Sequence, residues 1–149
     1  MKDDNYYMSL ALKEASKAEE IDEVPVGAII VKDGKIISKG FNVRESKMDA
    51  LGHAEIVSIR KANKKLKSWR LDDCTLYVTI EPCIMCGGAI IQSRIKRVVY
   101  GAKDFKGGCF GSSINILEAD NINHHPEVIG GVLEEECSKL IKYYFKKKR

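Results

Sequence analysis

No stretch of this chain is apolar enough to cross a bilayer. The longest apolar runs are a few residues, such as Ala28 to Val31, against the ~20 that a spanning helix needs. The opening Met1-Lys-Asp-Asp-Asn has neither an apolar stretch nor a small-residue cleavage site, so no secretory signal is expected. Five cysteines, Cys74, Cys83, Cys86, Cys109 and Cys137, are an odd number without such a signal. That argues against a disulfide framework and for a metal site or buried thiols. There is no internal repeat, low-complexity tract or linker, and no bias toward collagen or coiled coil. These absences leave a soluble protein, expected in the cytoplasm.

What is present suits a packed core. The 149 residues are 44% hydrophobic and 31% charged, which argues against disorder and predicts one domain over residues 1–149. The net charge of +4 comes from 25 lysines and arginines against 21 acids. The excess is concentrated: Lys139, Lys142, Lys146, Lys147, Lys148 and Arg149 fall in an acid-free terminal segment, and the rest of the chain is slightly acidic. A second acid-free cluster runs from Arg60 to Arg70. Such clusters can be a footprint for phosphate. They can equally be solvated helix ends, where cations are favourable.

Tyr7, Leu10, Ala11, Ala15 and Ala18 recur at helical spacing and predict an amphipathic helix over residues 5–19. Asp33-Gly34 between Val26–Lys32 and Lys35–Phe41 signals a type I′ hairpin. Thr75–Ile80 and Arg97–Tyr100 read as strands, and Val128–Val132 as a short one. His53–Leu66, Cys83–Arg94 and a last segment from Leu133 through Tyr144 read as helices. This order predicts an α/β chain with one central mixed sheet covered on both faces. Cys74 and Cys137, among apolar neighbours, are expected to pack as small hydrophobes. Cys109, in a glycine-rich loop, carries no assigned chemistry.

The chemistry concentrates in His53-Ala-Glu55 and Pro82-Cys83-Ile-Met-Cys86. Two cysteines three apart at a helix start bring their sulfurs into one small volume, and a helix N-terminus favours thiolates. Pro82 suits that start, because its fixed φ and missing N–H cost nothing there. A lone CxxC could be a redox pair, half of a structural zinc site or chance. No second CxxC closes a four-cysteine site, and His53 is the third ligand placed near a helix start; His124 and His125 lie in a polar loop. Three protein ligands with a fourth position open is the arrangement of a catalytic zinc. Glu55, two residues after His53, can approach such a metal without ligating it, as a proton shuttle must. The plain alternative is that His53 and Glu55 only cap and solvate a helix.

His-x-Glu with Pro-Cys-x-x-Cys about 30 residues on resembles the signature of the zinc nucleoside and nucleobase deaminases. The resemblance implies a three-layer α/β/α cytidine deaminase-like fold. It also implies one zinc per subunit on His53, Cys83 and Cys86, with water as the fourth ligand and Glu55 as the catalytic proton carrier. Further segments are similar to the bacterial tRNA adenosine deaminases, which convert the wobble adenosine of an arginine tRNA to inosine. They include Glu23-Val-Pro-Val-Gly27, Phe41-Asn42, Leu76 through Cys83, Ser93 through Ala102, Asp104-x-Lys106-x-Gly108, Asn123-His124-His125 and Tyr144-Phe145 with Arg149.

By that resemblance Asn42 contacts the flipped nucleoside, Val26 packs on its base and Ala54 offers backbone groups to the base edge. Asp104, Lys106 and Asn123 cradle the neighbouring nucleotides, while Phe145 and Arg149 stack on and grip the anticodon stem-loop. Stacking, base-edge bonds and cations on phosphate are how single-stranded loops are read. A homodimer is also implied, with Ile90, Ile91 and Ile95 as a candidate apolar contact. Each position has a plainer reading: Asn42 as a turn residue, Phe145 and Val26 as core, Asp104 paired with Lys103 or Lys106. Glu81 is assigned to structure. The chain departs from the family pattern at Asp49-Ala-Leu-Gly52, where Asp-Pro-Thr-Ala is common, and at Tyr144 and Lys146, where Phe and Arg are usual. Two rivals stay open: a small-molecule deaminase such as guanine deaminase, and a non-catalytic RNA-binding protein with a structural zinc.

Overall fold

The computed structural model of this protein describes residues 2–148. Strands β1 (Gly27–Lys32) and β2 (Lys35–Phe41) form an antiparallel hairpin. Its turn is built from Asp33 at φ 51° and Gly34 at φ 74°, the doubly left-handed geometry of a type I′ turn. Strand β3 (Cys74–Ile80) pairs antiparallel with β1. Strands β4 (Arg97–Ala102) and β5 (Glu127–Ile129) follow in parallel, giving one mixed sheet in the order β2-β1-β3-β4-β5.

Both faces of this sheet are buried, and β1 shows why. Ala28 and Ile30 join one apolar cluster with Leu76, Val78 and Val98, while Ile29 and Val31 join the other with Tyr77 and Val99. A strand that alternates sides and is apolar on both needs a layer of helix above and below. On the first face lie α2 (Ala54–Leu66) and α3 (Ile84–Ser93); on the second lie α1 (Asp4–Glu20) and α4 (Glu134–Lys147). The expected three-layer α/β/α arrangement is what forms. Helix α1 comes so close to β1 that a Cβ on Gly27 would run into the backbone of Ala11 and Ala15. Among the described residues, no helix is long and apolar enough to cross a membrane.

The element boundaries shift for local reasons. His53 and Cys83 stand one residue before their helices, with extended backbone, where helices were expected to include them. The last strand ends at Ile129 instead of Val132, because Gly131 at φ 89° turns the chain away. Leu133 at φ 51° precedes α4 and does not belong to it. Ile90, Ile91 and Ile95 are not a surface contact: they are buried inside this chain, at 0%, 7% and 0% exposure. Cys74 and Cys137 pack in the two apolar clusters as expected.

Asp4 ties the start of α1 to the sheet. Its carboxylate accepts from Arg97 at 2.8 and 2.6 Å and from the Tyr77 hydroxyl at 2.7 Å. The Arg97 hydrogen bond holds the Asp4 carboxyl below its ordinary range, outweighing partial burial. Because the folded value is the lower one, this contribution is complete above the unfolded carboxylate range near ~4 and is lost as pH falls through the folded value. Asp4→Asn should therefore cost about 1–2 kcal/mol in urea unfolding at pH 7, with the difference from the parent narrowing below about pH 4.

Candidate active site

One end of the sheet gathers the chemistry. β3 and β4 run in parallel and finish together at Ile80 and Ala102, while β1 begins and β2 ends opposite each other at Gly27 and Phe41. The crevice beyond the carboxyl ends of parallel strands is the usual ligand position in α/β sheets. The first turns of α2 and α3 also open here. His53 immediately precedes α2, Cys83 immediately precedes α3, and neither side chain is used to cap its helix.

Both side chains, together with Cys86 in the first turn of α3, point at one spot. His53 Nδ1 stands 3.6 Å from Cys83 Sγ and 3.5 Å from Cys86 Sγ, and the three atoms lie within 4.8 Å of one another. Bonds of ~2.0 Å to nitrogen and ~2.3 Å to sulfur at tetrahedral angles would set nitrogen and sulfur about 3.5 Å apart. The donor set and its spacing thus fit zinc with one coordination position left over. His124 and His125 take no part in it.

The cluster is strongly polarised. The Cys86 hydrogen bond, with that of His53, pulls the Cys83 thiol down to about 3 against the effect of its own burial. Cys86 moves the opposite way, raised by its bond to Cys83 and by burial. The two thiols are thus pushed in opposite directions, with Cys83 the one at the positive end of α3. The Cys83 hydrogen bond raises His53. Glu55 is 3% exposed, and desolvation pushes its carboxyl up to about 7.

A cavity of about 900 Å³ opens over this cluster. Of the residues expected at the site, Val26, Asn42, His53, Ala54, Glu55, Cys83, Asp104, Lys106 and Phe145 all line it. Asn42 is nearly buried and already holds its loop: its amide donates to Val24 O at 3.2 Å, and its oxygen accepts from Arg44 N at 3.1 Å. The turn role and the cavity position thus coexist, with one amide hydrogen and one lone pair to spare. Val26 packs against the core as well as lining the cavity. Asp104 makes no ion pair with Lys103 or Lys106; its carboxylate accepts from the backbone of Lys106 and Gly107, both at 3.1 Å. Phe145 is exposed, not core, whereas Tyr144 is buried with its hydroxyl on Asp22 O.

Asn123 is not brought to the cavity. It is exposed in the loop before β5, beside His124, whose ring bonds to Ile95 O at the opposite end of β4. Six residues of strand separate the two ends, or ~20 Å. Arg149 lies outside the described residues. Sequence reasoning missed Phe105, an exposed aromatic at the rim between Asp104 and Lys106, and Arg44, Lys103 and Glu23 in the lining. For Phe105 the signal was available in its two neighbours.

Beside the cavity a second hollow of about 700 Å³ is lined by Lys106, Lys142, Lys146 and Lys148 with Ile141 and Phe145. Lys147 and Lys148 pair with Glu19 and Asp22. Lys142 and Lys146 make no ion pair among the described residues, so a cationic groove runs on from the cavity. The other cation cluster ends at the far end of α2, where Arg70 pairs with Asp72 at 3.1 Å.

A family model of the MafB19-like deaminases matches residues 2–149. A tRNA-specific adenosine deaminase of Bacillus subtilis is 49% identical, over 100% of this chain and 92% of that protein. A solved structure from a study of A-to-I editing by tRNA:A34 deaminases superposes with a TM-score of 0.88 at 43% identity, covering 91% of this chain and 98% of that one. A guanine deaminase of Bacillus subtilis is also similar, with a TM-score of 0.66 at 32% identity over 80% of this chain and 87% of its own.

If the three converging atoms form a metal site, removing one must show in metal affinity. Cys86→Ser should weaken zinc binding about 100-fold or more in chelator competition, while far-ultraviolet circular dichroism stays that of the parent.

Proposed function

From a chain that belongs to the MafB19-like deaminase family, and within it to the tRNA-specific adenosine deaminases, we propose hydrolysis of adenosine to inosine at the wobble position, 34, of an arginine tRNA. The observation that carries this reading is a buried carboxyl and a His-Cys-Cys triangle at the floor of a cavity that continues into a lysine-lined groove. A free nucleobase would leave the groove, with the exposed ring of Phe145, without a use. An anticodon loop uses both, since phosphates take cations and unstacked bases take aromatic faces.

In this reading one domain over residues 1–149 does the work. His53 Nδ1, Cys83 Sγ and Cys86 Sγ would hold one zinc ion per subunit. When bound, the ion supplies a Lewis acid that brings the pKa of water near ~7. Glu55 takes one proton from the attacking water and delivers it to the ring nitrogen beside the carbon under attack; it then takes the remaining proton of the added hydroxyl and passes it to the amine as the carbon–nitrogen bond breaks. Adenosine and water thereby become inosine and ammonia. Asn42 contributes its spare amide hydrogen to the flipped nucleoside, Val26 flanks the base, and the backbone at Ala54 meets the base edge. Asp104, Lys106 and Phe145 receive the neighbouring nucleotides.

Asn123 stands too far from His53 to share this chain's own cavity, so its contact falls on RNA outside it. Arg149, which follows Lys148 in the sequence, is assigned a grip on the stem-loop. A homodimer is part of the proposal, though its contact is not the buried Ile90, Ile91 and Ile95.

The test uses an arginine tRNA anticodon stem-loop with adenosine at the wobble position, digested after reaction and read by mass spectrometry. Inosine should appear at that position alone, and Glu55→Ala should lower its rate by about 10²–10⁴-fold while RNA still binds. No inosine from the zinc-loaded parent would overturn the assignment. Replacing Lys142 and Lys146 together by Ala should weaken RNA binding and lower the slope of log affinity against log salt by about 1–2.

A further inference from the structure

Glu81 is 1% exposed, lies immediately before Pro82-Cys83, and makes no ion pair among the described residues. A buried carboxylate without a counter-charge is costly unless hydrogen bonds satisfy it. Its bonds all go to one loop. Oε1 accepts from Asp104 N at 3.2 Å, and Oε2 accepts from Phe110 N at 3.0 Å and Ser112 N at 3.2 Å. The loop also closes on itself and on the segment carrying Cys83: Gly108 N donates to Asp104 O at 2.8 Å, and Cys109 N donates to Pro82 O at 2.9 Å. Gly108 leaves no room for a side chain, because a Cβ there would run into the Glu81 carboxyl carbon. Residues 104–112 are therefore wound around one side chain. That loop puts Asp104, Phe105 and Lys106 on the cavity wall.

We propose that Glu81 is a positioning residue for substrate recognition: it fixes the loop that carries Asp104, Phe105 and Lys106 to the segment that carries Cys83, and so sets the RNA-contacting wall relative to the reacting centre. This rests on the proposed RNA substrate and assigns Glu81 no contact with it. A glutamine at this place keeps size and shape but leaves one acceptor oxygen where there were two, so its NH2 group faces at least the Asp104 N–H and the loop loosens from there. A wall held less firmly loses affinity, because the ordering cost then falls on binding. The step at the base, which depends on Glu55 and the metal ligands, is left as it was.

Three measurements on Glu81→Gln test this. The KM for the stem-loop should rise about 10-fold or more, with kcat within about 3-fold of the parent. Zinc content should remain one per chain. Amide hydrogen exchange at Asp104, Phe110 and Ser112 should accelerate about 10-fold or more, with α2 amides unchanged. Glu81→Asp, which keeps the charge, should recover part of the KM. If Glu81→Gln does not fold, Gly108→Ala decides, since it presses the same loop away without altering charge, and the same KM and exchange changes are expected. A KM within 2-fold of the parent with faster loop exchange would overturn the recognition role. Loss of zinc and kcat at unchanged KM would overturn it too, and make Glu81 a support for Cys83 alone. Because loop exchange is read without substrate, a parent that fails to deaminate RNA would sink the proposed activity and leave the clamp itself still measurable.

Discussion

Two helices begin at the same point, and the rest of the site depends on that. His53 and Cys83 are each the last extended residue before a helix, and their donor atoms, with that of Cys86 one turn on, lie within 4.8 Å of one another. A helix start presents unpaired N–H groups and the positive end of its dipole, which stabilises the negative charge a thiolate ligand carries. The sheet fixes the meeting. β3 delivers Cys83 from its carboxyl end, and the hairpin end delivers the chain that leads to His53. The sheet is buried on both faces, so a change in its register would turn core side chains toward the wrong layer. The two helix starts are therefore not free to separate.

Around that point the protein spends buried charge on loop shape. Glu23 and Glu81 are each 1% exposed. Glu23 accepts from Glu45 N at 3.2 Å and Ser46 N at 2.6 Å, on the loop that carries Arg44, while Glu81 holds the loop on the other side. Side chains on these loops meet the cavity, and both carboxylates line it from behind. A carboxylate that binds several main-chain donors gives a loop one conformation without the apolar packing that would fill the cavity. Recognition can then belong to exposed groups such as Phe105, Lys106 and Phe145, with little left for binding to order.

Much of this was readable in the sequence because it is local. Asp33-Gly34 specifies its turn by itself, and the period-2 and period-3.6 patterns mark the strands and helices within one to three residues. The converging His53, Cys83 and Cys86 were legible as a candidate metal site because CxxC, one well-placed histidine and a nearby glutamate leave few other arrangements. What was not legible depends on tertiary contact. Glu81 is assigned to structure from the sequence, but which loop it holds is visible only where the fold brings three N–H groups to it. Ile90, Ile91 and Ile95 look the same in sequence whether they face a partner or their own sheet. Asn123 sits in a segment similar to the family's, yet only the path of β4 shows how far it lies from His53. Gly87 becomes intelligible only with Cys109, whose sulfur occupies the place a Cβ would take.

On the proposed function, this cavity receives an adenosine presented by an RNA loop rather than a free base. The most direct measurement is the ratio of kcat/KM for the arginine anticodon stem-loop to that for free guanine, with the zinc-loaded protein under one set of conditions. The stem-loop should be preferred by about a thousandfold or more, because the groove and the clamped wall contribute only to the larger substrate. Guanine turnover equal to or faster than that of the stem-loop would contradict it.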